Sequence, residues 1–160
     1  MNKHLTNQNN KMNLKKSTST ILLLFIFMIG FISEIKGQEM TTKEVANRLV
    51  ELCREGKNLQ AIEELYSPNI VSNEMPWVEG LSVVTTGITD VKAKNNGWFG
   101  SFKEMPKATV SEPLIAENHF VVRMTFTATH KDGKPYFIEE LCVYEVENGK
   151  IVRENFYYSK

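Results

Sequence analysis

The strongest constraint on the fold is a change in the spacing of apolar residues near Ala108. Beyond this point apolar and polar residues alternate, most clearly along 119–129, which is typical of a half-buried strand. Asp132-Gly133 and Asn148-Gly149 separate this strand from two further segments, 136–146 and 150–158. Asp-Gly and Asn-Gly pairs favour tight hairpin turns, so the end of the chain is predicted to be an antiparallel meander. Residues 108–116 predict one more strand, in which Pro113 marks an edge or a bulge.

Before this point the spacing of apolar residues is helical. The sequence Thr41-Thr42-Lys43-Glu44 has the spacing of a capping box and opens a helix with apolar residues from Val45 to Cys53. A second short helix is predicted from Asn58 to Tyr66, with Asn58 as its cap and Pro68 as its stop.

A third helix is predicted over 86–102, after a short strand at 70–72. Its stripe of Ile88, Val91, Asn95, Trp98 and Phe102 indicates one buried face. Helices first and antiparallel strands last indicate a single α+β domain over residues 38–160.

Residues 1–37 have a different character. Lys11, Lys15 and Lys16 precede an unbroken apolar run at 21–32, and Ser33, Glu34 and Lys36 follow it. This order is typical of a secretory signal peptide, because the 12-residue run is shorter than the roughly 20 residues of a membrane-spanning helix. We expect cleavage near Gly37-Gln38 and export to the periplasm or the medium. The alternative is a retained membrane anchor formed by residues 21–32.

Charge and cysteine content exclude several classes of function. The whole chain has 19 basic and 19 acidic residues, and residues 1–37 hold five Lys and one Glu. The remaining chain therefore carries a net charge of −4, which gives it no electrostatic reason to bind nucleic acid or an anionic membrane. Contact with a membrane is expected only through the N-terminal segment, if that segment is not cleaved. Two cysteines, Cys53 and Cys142, exclude a four-cysteine metal site. They lie on apolar faces, which suits buried free thiols, although an exported protein could also join them in a disulfide.

Two segments carry a resemblance to a known family. The helix-to-strand segment Glu64-Leu65-Tyr66-Ser67-Pro68-Asn69-Ile70 and the hairpin from Tyr144 to Val152 resemble the SnoaL-like branch of the nuclear transport factor 2-like superfamily. Ketosteroid isomerase and scytalone dehydratase share this fold. The resemblance implies a cone-shaped α+β barrel, in which a curved and mostly antiparallel sheet wraps around three helices. It also implies an apolar pocket at the open end and a homodimer formed through the outer face of the sheet.

The same resemblance suggests one candidate catalytic residue. Glu74 corresponds to the carboxylate base of ketosteroid isomerase, and a carboxylate facing an apolar pocket would have a raised pKa. The two oxyanion donors of that enzyme correspond to Leu49 and Cys142, neither of which can replace them. Steroid isomerisation of the familiar type is therefore not expected.

The late strands contribute further candidate pocket residues. Glu139 and Glu140 are adjacent on one strand, so only one of them can point inward. A plain two-residue turn at Asp132-Gly133 would pair Phe126 with Glu139 and turn Glu139 inward. A longer or bulged turn would turn Glu140 inward instead. The resemblance favours the face of Glu140. If the second hairpin carries a bulge, Cys142 is expected to face Glu154. The expected lining residues are Glu140, Cys142, Tyr144, Glu154, Phe156, Tyr158 and, from the third helix, Trp98.

The fold does not specify an activity, because this pocket serves isomerases, cyclases, dehydratases and binding modules alike. We expect a binding module for a small apolar or amphipathic molecule, with no cofactor and no metal, since no histidine, cysteine and carboxylate cluster has ligand spacing. The alternative is a cofactor-free acid–base isomerase, cyclase or dehydratase that uses Glu74 or Glu140 as its base.

Overall fold

The computed structural model of the chain describes residues 39–76 and 82–159. The predicted signal peptide lies outside the described residues. Within them, no helix is both long enough and apolar enough to cross a membrane.

The first helix, α1 (Thr42–Arg54), has the capping box that the sequence predicts. The Thr41 side chain accepts a hydrogen bond from the Glu44 backbone N–H at 3.3 Å, and Glu44 Oε2 accepts one from the Thr41 N–H at 2.7 Å. These bonds satisfy amide groups that have no partner inside the helix. The buried face of α1 extends from Val45 to Cys53 and packs in the core.

The second helix, α2 (Asn58–Leu65), differs from the prediction at both ends. Lys57 occupies the N-cap position, so Asn58 is the first helical residue rather than the cap. The predicted stop at Pro68 is also wrong, because the chain becomes extended at Tyr66 and continues as strand β1 (Tyr66–Asn73). Pro68 therefore lies inside a strand.

The third helix, α3 (Ile88–Phe99), is shorter than the predicted 86–102. Strand β2 (Val84–Thr86) precedes it, and Gly87 joins the two with φ of +86°, a backbone conformation that favours glycine. The helix ends at Phe99 with Gly100 as its C-cap, and Phe102 forms a bridge with His130 beside the sheet.

The remaining strands follow the predicted alternation. They are β3 (Lys107–Val110), β4 (Leu114–Ala116), β5 (His119–Thr129), β6 (Pro135–Glu147) and β7 (Lys150–Tyr157). The predicted strand 108–116 is divided in two, and both parts pair with β5. Pro113 lies at the break, where it needs no backbone donor.

Within the described residues the strands form one sheet in the order β2-β1-β7-β6-β5-β3, with β4 also on β5. Strands β1 and β7 are parallel and the other pairs are antiparallel. The three helices pack against the inner face of this curved sheet, which does not close. The predicted fold class, α+β with three helices in a mostly antiparallel sheet, is confirmed.

The first hairpin selects which glutamate points inward. Its loop has three residues, so Phe126 pairs with Ile138 and Met124 pairs with Glu140. Glu140 therefore shares the inner face with buried Met124, while Glu139 lies on the outer face and pairs with Arg123 at 2.9 Å.

The second hairpin corrects one predicted contact. A bulge is present, but Tyr144 pairs with Glu154 and Cys142 pairs with Phe156, so the expected pairing of Cys142 with Glu154 is wrong. The extra residue, Val152, lies on β7 and not on β6, which shifts the register in the opposite direction. Cys142 thus pairs two positions further along β7 than expected, with Phe156 in place of Glu154. Because side chains on a strand alternate with a period of two, Glu154 still points inward.

The outer face of the sheet exposes a group of apolar side chains, which we call the outer apolar patch. Its members are 50–74% exposed: Leu114, Phe137, Leu141 and Tyr157. Each of them pairs across the sheet with a residue that points away from the core, so all four lie on the face opposite the helices.

Candidate functional site

A cavity of about 700 Å³ lies between the three helices and the inner face of the sheet. Helix α3 forms one side through Lys94 and Trp98, and α1 and α2 contribute Leu49, Asn58 and Ile62. The sheet contributes inward residues of β5, β6 and β7. This volume lies within the range of small-molecule sites.

Aromatic side chains form one wall of the cavity. Trp98 makes edge-on contacts with Phe99, Phe126 and Tyr136, with ring centroids 4.8, 5.1 and 6.0 Å apart. Phe102 lies 5.1 Å from Trp98 and stacks on His130 at 4.7 Å. These contacts stabilise the position of Trp98, because edge-to-face packing of aromatic rings is favourable beyond simple burial.

The cavity also has polar lining groups, among them a buried ion pair. Lys94 Nζ lies 2.7 Å from Glu74 Oε1, and both side chains are only 11% exposed. Lys94 also donates to Ser72 Oγ at 2.6 Å, and Tyr158 OH donates to Glu74 Oε2 at 3.0 Å. Both oxygens of Glu74 thus already accept a hydrogen bond, and the Lys94 ammonium compensates its charge.

Glu154 lies deeper and is almost fully buried. Its Oε2 accepts a hydrogen bond from Tyr66 OH at 2.6 Å. Burial raises the pKa of Glu154, and the nearby Lys94 ammonium, 3.9 Å from Oε1, acts in the opposite direction.

Glu140 is the third carboxyl group of the cavity. It is half-buried, and desolvation raises its pKa from 4.5 to about 7, while a hydrogen bond from the Cys142 thiol at 3.4 Å opposes the shift. Glu74 and Glu154 add to the rise, because a second negative charge nearby disfavours ionisation. Glu140 can therefore gain or lose a proton near neutral pH. We call Glu74, Glu140 and Glu154 the carboxyl cluster.

Two buried acceptor atoms of the cavity have no hydrogen-bond partner among the described residues. They are Asn58 Oδ1 and Glu154 Oε1. Asn58 could have capped α2, but its position as the first helical residue leaves its side-chain oxygen unused. Such orphan acceptors are uncommon in folded proteins because they cost free energy.

The structure brings most of the sequence-predicted site residues to this cavity. Its lining includes Glu74, Trp98, Glu140, Tyr144, Glu154, Phe156 and Tyr158. Cys142 was expected in the lining and is not part of it: its short side chain is fully buried within the wall, next to Glu140.

Both cysteines are free and buried. Burial raises the pKa of the Cys53 thiol to about 12 and that of Cys142 well above its ordinary value. Neither thiol is therefore ionised near neutral pH, which makes them poor nucleophiles. Among the residues that the structure describes, no group of three or more His, Cys, Asp or Glu could hold a metal ion.

Sequence reasoning missed Lys94, Tyr66 and Asn58. Lys94 lies one turn from Trp98 on the same helix, so the predicted pocket wall could have drawn attention to it. Tyr66 and Asn58 carry no such signal, because their contacts depend on how distant segments meet.

Comparisons with known proteins agree with this geometry. The sequence model of the SnoaL-like domain matches residues 40–158. This chain belongs to the SnoaL-like family. No curated protein matches it.

Solved structures show the same fold. A candidate SnoaL-like polyketide cyclase from Mesorhizobium loti is 31% identical, with a TM-score of 0.68, over 74% of this chain and 100% of that chain. A protein from Catenulispora acidiphila with a ketosteroid isomerase-like fold, solved in complex with trimethylamine, has a TM-score of 0.58. It is 14% identical over 72% of this chain and 85% of that chain, which shows the fold alone.

Proposed function

We propose that this SnoaL-like domain binds a small amphipathic molecule in its cavity. The apolar body of the ligand packs against the aromatic wall around Trp98, and its polar end faces the carboxyl cluster. The observation that carries the proposal is a single cavity of about 700 Å³ whose lining combines aromatic rings with three carboxyl groups and one lysine.

Calorimetric titration with 2-naphthylmethanol, a neutral probe with an apolar body and one hydroxyl group, tests this proposal. Ala61 lines the cavity and is 1% exposed, so Ala61→Phe should fill part of it and weaken binding at least tenfold. Leu114→Phe adds an aromatic ring to the outer apolar patch and should leave binding unchanged.

Thermal melting checks that each variant is folded, and Ile138→Trp replaces Ala61→Phe if the latter does not fold. Equal binding by the wild type and a folded cavity-filling variant contradicts the proposal, as does no binding by the wild type. Native mass spectrometry of protein purified from its own cell envelope would identify a retained natural ligand.

Glu140 favours a second candidate function, cofactor-free acid–base catalysis of the isomerase, cyclase or dehydratase type. A general base works best when its pKa lies near the working pH, and the pKa of Glu140 is about 7. Glu74 is the weaker candidate, because both of its carboxylate oxygens already accept hydrogen bonds, from Lys94 and Tyr158.

Proton exchange tests this second function directly. In deuterated buffer, 1-(2-naphthyl)propan-2-one should exchange hydrogens beside its carbonyl faster with the wild type than with Glu140→Gln, while both proteins bind it similarly. Glu74→Gln should reduce exchange less. Exchange no faster than in buffer alone contradicts catalysis but not binding.

Export and self-association complete the proposal. The basic and apolar order of residues 1–37 supports secretion with cleavage, and the anchor at 21–32 is its alternative. The outer apolar patch supports a homodimer formed through the sheet. The net charge of −4 after residue 37 argues against nucleic acid as a partner.

A further inference from the structure

The charged groups of the cavity are mostly acidic. Its lining contains three carboxyl side chains, Glu74, Glu140 and Glu154, and one lysine, Lys94. The lysine is already shared between Glu74 and Ser72. Once Glu140 ionises, the described lining therefore holds more negative than positive charge.

The hydrogen-bonding groups show the same imbalance. Three donors in the lining are directed at protein acceptors: Tyr66 OH at Glu154, Tyr158 OH at Glu74, and the Asn95 amide at the Val91 carbonyl. Two buried acceptors, Asn58 Oδ1 and Glu154 Oε1, have no partner among the described residues. The nearest ammonium group, on Lys94, is 3.9 Å from Glu154 Oε1, which is too far for a hydrogen bond.

The aromatic wall also suits a positive charge. Lys94 Nζ already lies 5.2 Å from the centre of the Phe156 ring, and further rings line the same cavity. Aromatic faces attract ammonium groups, and they do so more strongly where water is excluded. An anionic ligand would instead meet the negative charge of the carboxyl cluster.

We propose that the ligand is an organic amine with an apolar body, whose protonated nitrogen donates to the unpaired Oε1 of Glu154 and is balanced by Glu140. This inference rests on the proposed binding function and names the chemical class of its ligand. No covalent step is involved. A ligand N–H supplies the partner that Glu154 Oε1 lacks among the described residues, and the ionised form of Glu140 supplies the countercharge.

Three probes with one apolar body separate this inference from simple amphiphile binding. They are 2-naphthylmethylamine, which is cationic, 2-naphthylmethanol, which is neutral, and 2-naphthoate, which is anionic. At pH 8 the amine should bind at least tenfold more tightly than the alcohol, and the naphthoate most weakly.

The pH dependence identifies the countercharge. The ionisable groups around Glu140 are Glu74 from the end of β1, Lys94 from α3, Tyr136 and Cys142 from β6, Glu154 from β7, and Tyr158 beyond it, with His130 in the cavity wall. With a pKa of about 7 for Glu140, amine affinity should be about tenfold higher at pH 8 than at pH 6.

Three variants assign this effect to one residue. Glu140→Gln should weaken amine binding at pH 8 and reduce the pH effect to less than about twofold. Glu139→Gln is the matched control, because its side chain lies on the outer face beside Arg123, and it should behave like the wild type. His130→Gln should also keep the pH effect, which excludes an imidazole, the other side chain that ordinarily titrates near neutral pH.

Each outcome separates this inference from the proposed function. If none of the three probes binds, the proposed function itself is overturned. If the alcohol or the naphthoate binds as tightly as the amine, or the wild type shows no pH effect, binding stands and the amine assignment is overturned. The wild-type comparison of the three probes remains decisive even if Glu140→Gln does not fold.

Discussion

Replacing Glu140 with Gln should stabilise the fold, and the gain should depend on pH. The folded protein holds this carboxyl group in the cavity, where desolvation raises its pKa from 4.5 to about 7. Glu74 and Glu154 disfavour its charge further. The folded state therefore binds a proton more strongly than the unfolded chain does.

The sign and size of the effect follow from this difference. Below about pH 4.5 Glu140 is protonated in both states and contributes no pH dependence. Between about pH 4.5 and 7 only the unfolded chain ionises, so the free energy of unfolding falls by about 1.4 kcal/mol per pH unit. Above about pH 7 the loss is complete, at about 3 kcal/mol at most, since water that enters the cavity reduces the penalty. A Gln side chain of the same shape does not titrate and avoids this loss.

Urea denaturation followed by circular dichroism at pH 4.5 and pH 8 measures the effect. The stability advantage of Glu140→Gln over the wild type, measured as the difference in their free energies of unfolding, should be about 2–3 kcal/mol larger at pH 8 than at pH 4.5. The corresponding gain in melting temperature is roughly 10 °C for a domain of this size.

Glu139→Gln is the control for this measurement, because the Glu139 carboxylate is 50% exposed and pairs with Arg123 on the outer face. It should show no comparable rise. The reasoning is refuted if Glu140→Gln has the same effect at both pH values, because the carboxyl group would then titrate alike in the folded and unfolded states.

Four further predictions concern stability, assembly and export. Gly97→Ala should raise the free energy of unfolding by about 0.5–1 kcal/mol in urea titrations, because an added Cβ meets nothing within 4 Å inside α3. Gly100→Ala should give no such gain, since its Cβ would lie 2.9 Å from the Asn96 carbonyl oxygen. Thr41→Ala should lower the unfolding free energy by about 1 kcal/mol through loss of the capping box, and an unchanged denaturation midpoint would contradict this. Leu141→Lys should convert a dimer to a monomer in sedimentation experiments, whereas a wild-type monomer would contradict the proposed interface. N-terminal sequencing should show that the exported protein begins near Gln38, and a membrane-bound form that retains Met1 would favour a membrane anchor formed by residues 21–32.

The local pattern of the sequence was sufficient to predict most elements of the fold. Alternation along 119–129 correctly indicated that Phe120, Val122, Met124 and Phe126 point inward, because a strand repeats every two residues regardless of its partners. The Thr41 and Glu44 capping box was equally predictable, since its contacts span only three residues. Errors arose where competing local rules applied, as at Asn58, which has the chemistry of a cap but is the first residue of the helix.

The tertiary structure decided what the cavity can do. A three-residue loop turned Glu140 inward and Glu139 outward, and one bulge residue on β7 paired Glu154 with Tyr144. A register depends on the geometry of a turn, so the alternation of a strand leaves it open. The sequence by itself determined which side chains alternate along each strand and helix. Folding brought Lys94 to Glu74, buried Glu154 and raised the pKa of Glu140, because desolvation and pairing depend on segments that meet only in the folded domain.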